Sequence, residues 1–162
     1  MNVEKVLFPR SDWVPNNQRF PVLVYRAAML DCQSSDFEHT FARNGWTGIW
    51  RNGVFDYQHY HSGAHEVLGV GRGNATLLIG GPTGKAFEVA TGDCLILPAG
   101  TGHRKLESSP DFQVVGAYPP GQHADIQTEA ASPEMQEAIS SLPLPDTDPL
   151  FGSSGGILET WR

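Results

Sequence analysis

Short apolar runs separated by turn residues dominate the middle of the chain. Between residues 46 and 120 these runs are GIW, YQHYH, HEVLGVG, ATLLI, AFEVA, CLIL and FQVVGAY, and Gly, Asn or Pro stands in almost every break between them. Short runs bounded by turn residues predict β-strands, and many strands at regular spacing are typical of a sandwich or barrel. The segment FPVLVY at residues 20–25 predicts one more strand. We therefore expect an all-β fold.

A short helix is predicted near the N-terminus, over residues 35–43. Ser34, Ser35 or Asp36 is available as its N-cap, and Asn44-Gly45 follows as a stop signal. Such a helix lies between the first predicted strand and the run of strands that begins at residue 46.

A second short helix is predicted over residues 133–141, with Ser132 as its N-cap and a proline at its first position. The tail then passes through Gly-rich residues 152–156 to an apolar end at 157–161. That end is ordered only if it docks on the barrel or on a partner.

The chain length of 162 residues predicts one domain spanning residues 1–162. Within it we expect an N-terminal strand and helix arm at 1–45, a barrel core at 46–120, and a C-terminal helix and tail at 121–162.

Composition and charge narrow the classes of partner. The chain has 18 Gly and 12 Pro, which fits frequent turns, and its net charge is −7. An acidic chain lacks the clustered basic residues that nucleic acids and anionic membranes require, so we expect neither partner. No apolar run approaches the ~18 residues of a membrane span.

The N-terminus and the cysteines indicate a cytoplasmic protein. Residues 1–10 include Glu4 and Lys5 and have no long apolar core, so we expect no signal peptide. Cys32 and Cys94 are isolated in sequence, and we expect both to be reduced and structural.

Four of the six histidines lie within 45 residues, at His59, His61, His65 and His103. His59 and His61 are two residues apart in the run YQHYH, which we interpret as a strand. Side chains at i and i+2 of a strand face the same side, so both imidazoles can converge on one point. After the Ser62-Gly63 turn, a hairpin is expected to return Glu66 beside them. Three imidazoles and a carboxylate that converge make a divalent-metal site.

The spacing of these residues resembles the two motifs of the cupin superfamily. The first motif matches as Gly53-x5-His59-x-His61-x4-Glu66-x6-Gly73, and the second as Gly92-x5-Pro98-x-Gly100-x2-His103. Two further segments, residues 118–125 (YPPGQHAD) and 148–161, resemble more loosely the small bacterial YjlB-type cupins.

The resemblance implies an all-β cupin-type double-stranded β-helix, a jelly-roll barrel of the RmlC-like class. It also implies one divalent metal ion held by His59, His61, Glu66 and His103. Fe, Mn, Ni, Co, Cu and Zn all suit a mixed imidazole and carboxylate site, so the residues leave the ion's identity open.

Alternatives remain around this site. His65 could ligate in place of Glu66, because Val67 and Leu68 make both faces of the following strand apolar. Possible acid, base or donor groups are Tyr57 and Lys105, which share strand parity with the histidines, and Tyr118.

We expect a small metal-dependent enzyme that acts on a small organic molecule. Its chemistry is either oxidation of a dioxygenase type or Lewis-acid isomerisation or hydrolysis. The alternative is a non-catalytic module that binds a small molecule or serves a structural role. Cupins with one barrel are often dimers, so the resemblance also implies a homodimer.

Overall fold

The computed structural model describes residues 3–161, which form nine β-strands and three short helices. In chain order these elements are β1 (Val3–Val6), β2 (Val22–Tyr25), α1 (Ser34–Arg43), β3 (Thr47–Asn52), β4 (Glu66–Arg72), β5 (Asn74–Ile79), β6 (Lys85–Ala90), β7 (Cys94–Leu97), β8 (His103–Ser108), β9 (Gln113–Tyr118), α2 (Pro133–Ser141) and α3 (Gly156–Thr160).

The strands form two antiparallel sheets. One sheet has six strands in the order β1-β2-β7-β4-β9-β3, and the other has three in the order β6-β5-β8. This two-sheet arrangement confirms the expected cupin-type jelly roll. Strands β1 and β2, which come from the predicted arm at 1–45, extend the larger sheet through the pairing of β2 with β7.

Alternating side chains from both sheets fill the interior. Leu68 and Val70 of β4 point inward, as do Leu77 and Ile79 of β5, and all four are buried in one apolar cluster. Because side chains alternate along a strand, Glu66 faces the same interior as Leu68.

The outer face of the six-stranded sheet is also covered. Phe37 and Phe41 of α1 pack on Val67 and Val115 there. Gly69 permits this approach, because a Cβ at that position would lie 2.5 Å from the Phe37 ring. Helix α1 therefore seals the sheet on the side opposite the interior.

The apolar end of the tail docks on its own chain. Trp161 is 1% exposed, stacks on Phe20 with ring centroids 5.1 Å apart, and donates from its Nε1 to the Pro21 carbonyl. Asp148, fully buried, accepts hydrogen bonds from the amides of Leu150 and Phe151. The C-terminal tail thus belongs to the apolar core that covers the outer face of the six-stranded sheet.

Three local predictions are wrong. The run YQHYH is no strand, because it makes single bridges, His59 to His103 and Tyr60 to Gln127. It therefore does not form a hairpin with β4, whose neighbours are β7 and β9. The N-cap of α1 is Gln33, which forms a capping box with Asp36, and none of the three residues that the sequence suggested. At α2 the predicted Ser132 cap is confirmed, since its side chain accepts from the Met135 amide.

None of the helices formed by residues 3–161 has the length and apolarity needed to cross a membrane.

Candidate metal centre

One end of the sandwich brings the histidines and Glu66 together. Glu66 is the first residue of β4 and pairs with Leu97 at the end of β7, while His103 is the first residue of β8 and pairs with Ile79 at the end of β5. The two side chains come from different sheets and meet in the interior. His59 joins them because its backbone makes two hydrogen bonds with that of His103.

The three imidazoles are held in one tautomer by backbone carbonyls. The Nδ1 atom of His59 lies 3.0 Å from the Tyr57 carbonyl, and that of His103 lies 2.9 Å from the Thr101 carbonyl. His61 makes the same contact with the carbonyl of Asp125. A carbonyl only accepts, so each Nδ1 carries a proton, and in the neutral ring Nε2 is the nitrogen that can offer a lone pair to a metal ion.

The Glu66 carboxylate has two differently placed oxygens. Oε1 is buried without a hydrogen-bond partner among residues 3–161, and it lies 3.4 Å from Nε2 of His61 and 3.3 Å from Nε2 of His103. Oε2 accepts a 3.0 Å hydrogen bond from the Tyr118 hydroxyl. One oxygen thus faces the imidazoles while the other is anchored.

A second residue holds Tyr118 in place. The indole Nε1 of Trp50 donates to the Tyr118 hydroxyl over 2.8 Å. Trp50 pairs with Gly116 of β9, where a Cβ would lie 2.2 Å from the indole ring. The missing side chain of Gly116 therefore lets the indole lie across β9 and reach Tyr118.

Burial and mutual charge set the protonation of the cluster. Burial lowers the pKa of His59, and the neighbouring His103 lowers it further, to about 3. Burial alone would also lower the pKa of His61, but the Glu66 carboxylate outweighs it and raises that pKa to about 9. Burial alone would raise the pKa of Glu66, but His61 outweighs it and holds that pKa well below its usual range. The carboxylate is therefore ionised in the protein.

These groups fit a divalent metal ion. The ligand atoms of His59, His61 and His103 all lie within 4.8 Å of one another, and all three residues are buried. Oε1 of Glu66 is a buried anionic oxygen that faces the Nε2 atoms of His61 and His103. Without a metal ion, a protonated His61 balances this charge, because its pKa is about 9. A divalent cation bound by the imidazoles and Oε1 would take the place of that proton.

A cavity of about 510 Å³ adjoins the cluster. Its apolar walls come from Trp50, Val54, Phe55, Leu68 and Ile126, and its polar lining includes Lys105 and Tyr118. Ligand sites combine apolar walls with a few placed polar groups in this way, so the cavity has room for a small organic molecule beside the imidazoles.

A curated relative covers nearly the whole chain. It is "Uncharacterized protein YjlB" of Bacillus subtilis (strain 168), which is 41% identical over 157 residues, or 95% of this chain and 93% of the relative. The chain belongs to the YjlB family. No family model matches the chain. The cupin motifs and the jelly-roll sheets thus occur in a member of the YjlB family.

Solved structures give more distant likenesses to this YjlB-family chain. A DUF861 family protein from Thermotoga maritima is 18% identical with a TM-score of 0.37, covering 59% of this chain and 96% of that one. Acireductone dioxygenase from Bacillus anthracis, solved with cadmium in its active centre, is 20% identical with a TM-score of 0.37. The match covers 57% of this chain and 59% of that one.

The structure separates Glu66 from His65, which the strand pattern leaves open as an alternative ligand. Glu66 faces the imidazoles, whereas His65 is buried on the opposite face, where its ring meets Phe20 and Trp161. The Ala99 amide donates to Nδ1 of His65 over 2.9 Å, and burial lowers the His65 pKa to about 4. His65 thus serves the packing of the tail in this YjlB-family fold.

The three candidate acid, base or donor groups lie in different places. Tyr118 and Lys105 line the cavity. Tyr57 is absent from the lining. The residue is 41% exposed, and its ring stacks on Phe55 with centroids 4.8 Å apart. Burial raises the pKa of Tyr118, and the Glu66 charge raises it further, so its hydroxyl keeps its proton.

Asp125 is a residue of the site that the sequence reasoning missed. Its carboxylate accepts from the amides of Ser62 and Gly63, at 2.8 and 2.9 Å, and from the side chain of Gln127, while its carbonyl holds Nδ1 of His61. Asp125 ends the segment YPPGQHAD, whose family likeness was the signal that could have found it.

Proposed function

We propose that the chain is a metal-dependent cupin enzyme that acts on a small organic molecule. The metal ligands are His59, His61, Glu66 and His103. The observation that carries this proposal is the orientation of the three imidazoles, whose Nδ1 atoms are committed to carbonyls and whose Nε2 atoms therefore share one centre.

The bound ion supplies Lewis acidity or, if it is redox-active, oxidation chemistry of a dioxygenase type. The chain's own residues position and enclose the reactants. Tyr118 orients Glu66, and the walls formed by Trp50, Val54 and Phe55 exclude water from the bound molecule. Lys105 is the lining group that can bind an anion or donate a proton.

The alternative, a module that binds a small molecule without turnover, is favoured by one observation. Tyr118 donates to Glu66 and accepts from Trp50, so its hydroxyl is committed to positioning and is not free for acid–base chemistry. Lys105 is then the remaining candidate of the three for proton transfer at the cavity.

Turnover separates these two functions. Metal-depleted protein is reloaded with Fe(II), Mn(II), Ni(II), Co(II), Cu(II) or Zn(II) and incubated with a library of small organic acids, ketones and sugars. O₂ uptake and product formation by mass spectrometry are followed beside a His103→Ala variant. Turnover that requires both a metal and His103 supports the enzyme. Metal-dependent binding without a product from any compound would contradict it.

We also propose that the protein is a cytoplasmic homodimer. Cys32 and Cys94 are free thiols, which suits a reducing compartment. Strand β3 stands at an edge of the six-stranded sheet, and edge strands are commonly covered by a partner. Light scattering of the full chain tests the dimer, and a monomer mass would contradict it.

A further inference from the structure

Lys105 presents a positive charge inside the cavity that adjoins the three imidazoles. It lies on β8 two residues beyond His103, so the two side chains face the same side of the strand. Its partner across the ladder is Leu77, whose side chain is fully buried in the interior cluster. Paired residues face the same side of a sheet, so this register directs Lys105 into the cavity.

The Lys105 ammonium has no ion pair or hydrogen bond among the described residues 3–161, and the residue is half-buried. The other lining cation, Arg51, is different. Its guanidinium binds the Glu38 carboxylate through two hydrogen bonds of 2.6 and 2.8 Å, which satisfies its charge. Lys105 therefore keeps its charge available for a molecule in the cavity.

The carboxylates of the site do not compensate this charge. Glu66 is the carboxylate among the described lining residues, and it is engaged with His61, His103 and Tyr118. A divalent ion with neutral imidazoles and this one carboxylate keeps a net positive charge. Together with Lys105, the loaded cavity then carries two positive charges behind apolar walls, where the Coulomb attraction for an anion is stronger than in water.

We propose that the cavity binds a small organic anion whose acidic group pairs with Lys105 while its apolar part contacts Trp50, Phe55 and Ile126. This rests on the proposed function, whose substrate it narrows to carboxylic or similar acids. The chain is acidic overall, with a net charge of −7, so a cationic pocket does not follow from its general charge.

Matched pairs of acids and amides test the proposal, because each pair differs in charge and hardly in shape. The probes are benzoate and benzamide, phenylacetate and phenylacetamide, and hexanoate and hexanamide. Their binding to the Zn(II)-loaded full chain is measured by calorimetry and ligand-observed NMR. Lys105→Met removes the charge and keeps the length, and Lys105→Arg keeps the charge. Lys85→Met removes an exposed lysine outside the cavity as the control.

We expect at least one acid to bind about tenfold more tightly than its amide. This preference is expected to weaken in Lys105→Met, in which the charge of the metal centre alone remains, and to persist unchanged in Lys105→Arg and Lys85→Met. A preference as large in Lys105→Met as in the unaltered protein, or no acid bound at millimolar concentration, would overturn the proposal.

Zinc content is measured in the same samples. Bound zinc without an acid preference contradicts the anion site and leaves the metal centre standing. A Lys105-dependent preference in protein that holds no zinc contradicts the metal centre instead.

Discussion

The Tyr118 hydroxyl joins Trp50 to Glu66, donating to Oε2 of Glu66 over 3.0 Å while it accepts from the indole of Trp50 over 2.8 Å. The carboxylate is thereby turned so that its other oxygen, Oε1, faces His61 and His103. Outer partners of this kind orient a ligand and contribute to metal affinity although they never touch the ion.

Replacing Tyr118 by Phe is expected to lower metal affinity about tenfold, because Glu66 loses the donor that fixes its orientation. Competition with a chelator of known affinity measures the change. Tyr57→Phe makes the same chemical change at an exposed ring outside the cavity, and we expect no effect from it. Equal metal affinity in Tyr118→Phe and wild-type protein would show that the hydrogen bond does not position Glu66.

Gly116→Ala is expected to destabilise the protein by about 1 to 3 kcal/mol, as overpacking commonly does. The new Cβ would lie 2.2 Å from the Trp50 indole, which must move away from Tyr118. Urea unfolding gives the stability. Gly53→Ala is the matched control, since a Cβ there meets nothing within 4 Å. Similar losses in both variants would contradict the close packing of Trp50 on Gly116.

Asp125→Ala is expected to cost about 1.5 to 3 kcal/mol of stability, because the carboxylate accepts several hydrogen bonds from the Ser62-Gly63 turn and from Gln127. Metal affinity should fall as well, since the turn and the carbonyl of Asp125 position His61. Asp146→Ala, at an exposed aspartate, is the control for both measurements. A stable Asp125→Ala protein with unchanged metal affinity would refute this role.

The Trp161 side chain closes the outer face of the six-stranded sheet, so Trp161→Ala is expected to cost about 3 to 5 kcal/mol. Trp161→Phe should cost less, because it keeps the stacking on Phe20 and loses the hydrogen bond to the Pro21 carbonyl. Chemical denaturation of both variants measures the difference. An unchanged midpoint for Trp161→Ala would mean that the tail is not part of the core.

The fold could be predicted from the sequence because its signals are local. Turn residues punctuate the strands, and α2 carries its own cap at Ser132. The run YQHYH alternates like a strand and so predicts one, but it pairs only through single bridges to His103 and Gln127. Whether such a segment joins a ladder depends on distant partners, and local periodicity does not show these.

The site could be predicted in part. The motif spacing assigns His59, His61, Glu66 and His103, which the structure places together. The strand pattern alone leaves His65 open as the alternative to Glu66. That choice depends on which face of β4 is inward, and the register with Leu97 fixes it. Asp125 is 64 residues from His61, so no local pattern could connect the two.

The most direct test of the central claim is elemental analysis of the untagged, purified protein beside a His59→Ala/His61→Ala variant. His39→Ala/His123→Ala removes two exposed histidines and serves as the control. We predict about one divalent ion per chain in wild-type and control protein and none in the His59→Ala/His61→Ala variant. No ion in wild-type protein, even after anaerobic reconstitution with Fe(II), Mn(II), Ni(II) and Zn(II), would contradict the metal centre.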